Sequence, residues 1–160
     1  MKKILTIIIL FLSTTTLSAN DRDVELEKLF LKLKKNIPSL SSGIAQQIWM
    51  LWSTHPTDQK LTSILDEGSR LVQDQQLNRA IDVFTEAIEL DPNWAEAWNK
   101  RATVFYMVGE FQKSQNDIDK VLELEERHFG ALAGQGLVNI KLKNYDKAKR
   151  SYQKAQEIYP

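Results

Sequence analysis

The chain has 160 residues, of which 42% are hydrophobic and 26% are charged, a balance typical of one folded domain. Its 21 basic and 21 acidic residues cancel, and loss of Lys2 and Lys3 with a leader would leave 19 against 21, a net charge of −2. Without a basic excess, binding to nucleic-acid phosphates is not expected. Cysteine is absent, which excludes disulfides, thiol catalysis and lipid attachment to a cysteine.

Residues 1–19 have the composition of a secretory signal peptide. Two lysines precede the apolar run 4–12, and small polar residues follow as far as Ala19. The run is far shorter than the roughly 20 apolar residues that a transmembrane helix needs. We therefore expect a leader cleaved after Ser18 or Ala19 rather than a retained anchor. No stable membrane span is then expected, and the predicted location is periplasmic or secreted, in a bacterium.

Two helices are predicted in residues 20–58. The first, 21–35, has apolar residues at helical spacing: Leu26, Leu29, Phe30 and Leu33. After a break at Asn36 and Pro38, residues 41–53 resume the pattern with Ile44, Ile48, Leu51 and Trp52, and Ser41 or Ser42 is the predicted N-cap. We expect the two helices to form a hairpin that covers the apolar face at the start of the next segment.

Residues 61–160 repeat with a period of 34, in the units 61–94, 95–128 and 129–160. Each unit reads as two helices: 61–74 and 77–90, 95–108 and 111–124, 129–142 and 145–158. Small residues recur at equivalent places in both helices: Gly68, Ala102 and Gly136, then Ala80, Ser114 and Ala148. Large residues that fill the gaps recur beside them: Phe84, Ile118 and Tyr152. A period of this length indicates an array of helical repeats.

These repeating residues resemble the tetratricopeptide repeat (TPR) family over about 100 of the 160 residues. The resemblance implies an all-α fold, a right-handed α-solenoid of three TPR-like repeats preceded by an N-terminal helical hairpin. One departure from the pattern is Glu126, which stands where the other repeats have Pro92 and Pro160 and leaves the turn before Phe129 less constrained.

The resemblance further implies a concave groove that is lined by the first helix of each repeat and binds a protein or peptide. Its predicted lining residues are Asp66, Ser69, Asn99, Lys100, Thr103, Tyr106 and Lys141. Asn99 can pair with a peptide amide and Lys100 with a carboxylate. The alternative is that these are solvated helix-face residues without a ligand.

Some family members hold a terminal carboxylate with a clamp of lysine and asparagine from neighbouring repeats. Asp66 and Ser69 supply no such cation in the first repeat, so this activity is not implied. We expect instead a mixed groove that accepts an internal peptide segment or a helix.

No catalytic residue, metal site or cofactor is predicted. The two histidines, His55 and His128, lie in inter-helix segments without neighbours at metal-ligand spacing. The glycines of segment 130–136 follow no strand, as a nucleotide-binding loop would require. The acidic residues of segment 123–126 are expected to form a solvated helix end. Trp94, at a junction between repeats, is the tryptophan most available for ligand contact, but packing is its preferred role and ligand contact the alternative.

The sequence predicts no helix that covers the last repeat. Tyr152, Ile158 and Tyr159 are therefore expected to be partly exposed, either as a frayed end or as a contact for a second copy. The function hypothesis is a non-enzymatic protein-interaction scaffold of the bacterial envelope. The alternatives are a homo-oligomer assembled through the C-terminal helix, or a ligand- or glycan-binding module that uses Trp94 and Tyr106.

Overall fold

The computed structural model describes residues 19–160, with side chains from residue 21 onward. Over this range it has eight α-helices and no strand: α1 (Ala19–Leu33), α2 (Pro38–Ser53), α3 (Gln59–Gln73), α4 (Leu77–Leu90), α5 (Ala95–Met107), α6 (Phe111–Leu124), α7 (Phe129–Lys141) and α8 (Tyr145–Ile158). The all-α prediction is confirmed, and the six repeat helices match it within two residues at each end. The predicted leader lies outside the described residues except for Ala19, where α1 begins.

The start of α2 differs from the prediction. The helix begins at Pro38, whose fixed φ suits the first helical turn, so Ser41 and Ser42 lie inside it rather than at its N-cap. The Ser41 hydroxyl donates instead to the carbonyl of Ile37, at 3.0 Å. A side-chain N-cap forms at α3, where the Asp58 carboxylate accepts from the backbone N–H of Lys60 at 2.8 Å.

The three intra-repeat turns share one backbone geometry. Gln75, Gly109 and Lys143, spaced by 34 residues, adopt positive φ values of 59°, 83° and 63°. Each lies at the C′ position of a Schellman motif, in which the next N–H bonds a carbonyl five residues back, at 2.8 Å in all three turns. In two of the three turns a residue other than glycine therefore adopts the left-handed backbone conformation that glycine adopts most easily.

Small and large residues 16 positions apart set the close packing of the two helices in each repeat. A Cβ added at Gly68 would overlap three ring carbons of Phe84, which is fully buried. A Cβ added at Gly136 would lie 2.5 Å from Cζ of Tyr152. In the middle repeat Ala102 is buried beside Ile118 in one apolar cluster. The predicted pairing of small with large residues is confirmed.

The N-terminal hairpin does not cover the face of the first repeat, and that prediction is wrong. Its core, which includes Trp52, extends instead to Phe129 at the start of α7 and to Ile158 and Tyr159 at the end of α8. The indole N–H of Trp94, in the turn between the first two repeats, donates to the carbonyl of Trp52 at 2.9 Å. The hairpin therefore lies along the edge of the array that the inter-repeat turns form.

Charged contacts fix the same edge. Arg127 pairs with Glu27 of α1 at 2.8 Å, and its guanidinium lies 4.4 Å from the ring centroid of Phe30. His55, just after α2, meets the carboxylate of Asp91 at 2.9 Å. Among the helices of residues 19–160, none is long and apolar enough to cross a membrane.

Candidate peptide-binding groove

Two cavities flank α5 on the side that the first helices of the repeats share. The cavity between α3 and α5 has a volume of about 320 Å³. The cavity between α5 and α7 is smaller, about 80 Å³. Asn99 and Thr103 line both, so α5 forms the ridge between them. We call this surface, with its two cavities, the groove.

The cavity between α3 and α5 is lined by polar and apolar side chains of both helices and by one residue of the hairpin. Ser69, Val72 and Gln73 of α3 face Asn99 and Lys100 of α5 across it. Trp49 of α2 also lines this cavity, and its six-membered ring packs on the backbone of Gly130, where an added Cβ would lie 2.5 Å from it. Sequence reasoning missed this contribution, because helical periodicity places Trp49 on the hairpin but does not say what it meets.

The cavity between α5 and α7 is mainly apolar. Its walls carry Tyr106 on one side and Gly130, Gly134 and Leu137 on the other, with Ile118 below. A Cβ added at Gly134 would lie 3.6 Å from Ile118, an ordinary contact distance. The glycines of α7 therefore leave space for a small aliphatic group.

A hydrogen bond fixes the amide of Asn99. The side chain is largely buried, and its Nδ2 donates to Oε2 of Glu96 at 3.1 Å. No other group among the described residues bonds the Asn99 amide oxygen, which is left as an acceptor beside the groove. An extended peptide has an N–H donor of the matching kind in its backbone.

Glu96 is itself held by a buried histidine. The backbone N–H of Ala131 donates to Nδ1 of His128 at 3.0 Å, so the proton lies on Nε2 and is donated to Glu96 Oε2 at 3.0 Å. The other oxygen of Glu96 makes no hydrogen bond among the described residues, and the ammonium of Lys100, 3.4 Å away, balances its charge. Trp52 stacks on the His128 ring, with centroids 4.0 Å apart. No local sequence pattern predicts this pair, since its members lie 32 residues apart.

The comparisons with known proteins identify the repeats. A family model described as TPR repeat matches residues 68–109, and one described as tetratricopeptide repeat matches residues 129–160. A TPR repeat-containing protein of Rhizobium etli is 32% identical over 136 residues, 84% of this chain and 66% of its own length. The chain belongs to the TPR family. Because the Rhizobium match is longer than the three repeats, it includes part of the hairpin.

Other relatives match a shorter part of the chain. Hsp70-Hsp90 organizing protein 3 of Arabidopsis thaliana is 27% identical over 95 residues, which are 59% of this chain. The chain thus spans about two thirds of the Rhizobium relative and 17% of the Arabidopsis one.

Solved structures share the fold. The first TPR of Spaghetti (RPAP3), bound to the HSP90 peptide SRMEEVD, has a TM-score of 0.63 and 22% identity, covering 64% of this chain and 81% of its own. MamA has a TM-score of 0.58 and 21% identity, covering 86% of this chain and 88% of its own. At these identities the likeness concerns the TPR solenoid itself.

The structure brings together five of the seven residues predicted to line the TPR groove: Ser69, Asn99, Lys100, Thr103 and Tyr106. Asp66 and Lys141 are exposed and line neither cavity. Trp94 is 4% exposed in the core of the first repeat and donates its indole N–H to the Trp52 carbonyl of the hairpin, so the preferred packing role is confirmed. A ligand-stacking role for Trp94 is therefore wrong.

Two groups of the repeats have perturbed pKa values, Glu125 in the turn between the second and third repeats and Tyr152 in the last helix. Tyr152, whose ring packs on Gly136, has its pKa raised by burial and by the neighbouring Tyr106. Burial acts to raise the pKa of Glu125, but the hydrogen bonds and charge of Arg127 outweigh it, so the pKa lies below its ordinary value. The acidic segment 123–126 is therefore not simply a solvated helix end, since Glu125 pairs with Arg127 at 2.8 Å and Arg127 also pairs with Glu27 of the hairpin at 2.8 Å.

Proposed function

We propose that this TPR protein is a non-enzymatic scaffold that binds an extended peptide segment of a protein partner in its groove. The observation that carries the proposal is the pair of cavities flanking α5, with the fixed amide of Asn99 between them. Peptide binding by the HSP90-bound TPR of Spaghetti supports the same use of the fold.

The chemistry of the groove favours an uncharged segment with one small aliphatic anchor. The apolar cavity between α5 and α7 suits a group of the size of a valine side chain, while Asn99 and Thr103 bond the backbone beside it. The charge of Lys100 is already balanced by Glu96 at 3.4 Å. A terminal carboxylate would therefore find little free positive charge in the two cavities.

A random peptide library selected on the purified protein tests the groove. We expect bound peptides to share an aliphatic residue, and Gly134→Leu, which fills the small cavity, to weaken their binding at least about tenfold because the anchor loses its buried site. Gly43→Leu makes the same change on α2, where nothing lies within 4 Å of the added Cβ, and should leave binding unchanged. Equal affinities of the two variants would refute the proposal.

Photo-crosslinking locates the bound peptide independently. A photoreactive residue at Thr103, on the exposed ridge between the cavities, should label the peptide. The same residue at Asn116, exposed on α6 away from the cavities, is the control and should not. Labelling at Asn116 alone would place the ligand on another surface.

We also propose that the protein acts in the bacterial envelope, on the strength of the leader composition of residues 1–19. The intact mass of the protein from its native cells tests this. A chain beginning at Ala19 or Asn20 in a periplasmic extract supports the proposal, and a full-length chain in the cytoplasm contradicts it.

A further inference from the structure

The N-terminal hairpin is basic at the end where α1 passes into α2. Residues 28–57 contain no aspartate or glutamate, and four lysines lie close together at the start of this segment: Lys28, Lys32, Lys34 and Lys35. Residues 21–27, at the other end of α1, hold four acidic residues and one basic residue. The two ends of α1 therefore carry opposite charge.

Most of this positive charge is not neutralised within the protein. Lys28 lies 3.6 Å from the carboxylate of Glu25. Lys32, Lys34 and Lys35 are exposed, and no carboxylate among the described residues pairs with them. The carboxyl end of a helix carries only about half a negative charge, so the dipole of α1 balances a small part of three lysines. The remaining charge is available to an external anion.

Large aliphatic side chains are exposed among these lysines. Leu31, Ile37 and Leu40 are 57%, 43% and 53% exposed. Of residues 31–40, Leu33 alone is buried, so this part of the hairpin projects from the fold. We call the exposed lysines and aliphatic residues of this segment the hairpin tip: Leu31, Lys32, Lys34, Lys35, Ile37 and Leu40.

Helical spacing places part of the hairpin tip on one face of α1. Lys28, Leu31 and Lys32 follow one another at intervals of three and four residues, which is the spacing of one helix face. The opposite face is buried in the core of the hairpin and includes Leu29 and Leu33. A helix end with basic and aliphatic residues on its exposed face suits the boundary between water and lipid.

The size of the hairpin tip favours a membrane over an acidic protein. A stable protein interface uses about 20–30 residues on each side, far more than the tip offers. A bilayer requires no complementary shape, since anionic headgroups attract the lysines and the aliphatic groups enter the interface beneath them.

We infer that the hairpin tip binds the surface of a lipid bilayer that contains anionic lipids. Lys32, Lys34 and Lys35 contact the headgroups, and the aliphatic side chains of the tip enter the interface. The acidic end of α1 then points away from the membrane. None of the tip residues lines either cavity of the groove, so a bound peptide and a membrane do not compete.

Flotation with lipid vesicles tests the inference. The chain used begins at Ala19, because it contains all the described helices and lacks the apolar run 4–12, which would bind lipid by itself. Vesicles of phosphatidylglycerol and phosphatidylcholine should bind the protein, and vesicles of phosphatidylcholine alone should not. Added salt should weaken the binding, because the lysines and headgroups are exposed to solvent.

Two sets of substitutions separate the charge of the hairpin tip from its aliphatic groups. Each lysine near an anionic surface contributes about fivefold in affinity, so joint Lys32→Gln, Lys34→Gln and Lys35→Gln changes should weaken binding at least about tenfold. A variant with Leu31→Ser and Leu40→Ser keeps all the lysines and should also bind more weakly, because it has less apolar surface to bury.

The matched control removes three exposed lysines from the last repeat. Lys141→Gln, Lys149→Gln and Lys154→Gln together change the total charge by the same amount and should leave vesicle binding unchanged. Circular dichroism establishes that each variant is folded. Equal impairment of this control, or failure of the unaltered protein to bind the anionic vesicles, overturns the inference. Binding of polyglutamate as tight as that of the vesicles also overturns it and assigns the tip to an acidic protein.

Discussion

Replacing Gly68 by alanine tests the packing that sets the geometry of the repeats. Alanine in place of a helical glycine would by itself stabilise the protein by about 0.5–1 kcal/mol. The added Cβ, however, overlaps the ring of Phe84, which is 0% exposed and enclosed by the first-repeat core. Overpacking of this kind costs about 1–3 kcal/mol.

The net expectation is a loss of about 1–2 kcal/mol in the free energy of unfolding. For a domain of this size, each kcal/mol lowers the thermal midpoint by about 2–4 °C. Urea unfolding followed by circular dichroism measures the loss directly.

Two other glycines are controls for the Gly68 change. Gly136→Ala meets Tyr152, whose ring is 37% exposed and can rotate toward solvent, so the change in stability should stay within about 0.5 kcal/mol. Gly43→Ala meets nothing within 4 Å and should stabilise by about 0.5–1 kcal/mol. A Gly68→Ala protein as stable as the wild type would refute the role assigned to the Phe84 contact.

The remaining predictions concern the turn at Lys143, the Glu125–Arg127 ion pair and the buried pair of His128 and Glu96. Lys143→Gly should raise the free energy of unfolding by about 0.5–1 kcal/mol, because it relieves a left-handed backbone, and an unchanged urea midpoint would contradict this. Because Arg127 lowers the pKa of Glu125, that pair stabilises the fold above the ordinary carboxyl pKa of 4.5 and loses its effect as pH falls below it. Glu125→Gln should therefore lower stability at neutral pH and flatten the acid limb of a stability–pH curve. His128→Ala should cost about 2–5 kcal/mol, since it removes both the helix cap and the bond to buried Glu96, and a cost below about 1 kcal/mol would refute that role.

The sequence by itself determined the repeat architecture. The helix boundaries follow from two features of the sequence. One is the 34-residue recurrence of small and large residues, and the other is the set of turn residues at Gln75, Gly109 and Lys143. The groove lining also followed, because the repeat register places Asn99 and Thr103 on the same helix face. Each of these features depends on residues close in sequence or related by a fixed period.

Only the tertiary structure decided where the hairpin packs and what it contributes. An apolar stripe on a helix indicates that the stripe is buried but does not specify the surface that buries it. Trp52 packs on His128, and Trp94 donates its indole N–H to the Trp52 carbonyl, because the inter-repeat turns offer an aromatic surface and a hydrogen-bond donor to the hairpin. Contacts such as Glu96 with His128 depend on residues brought together by folding, and no local pattern records them.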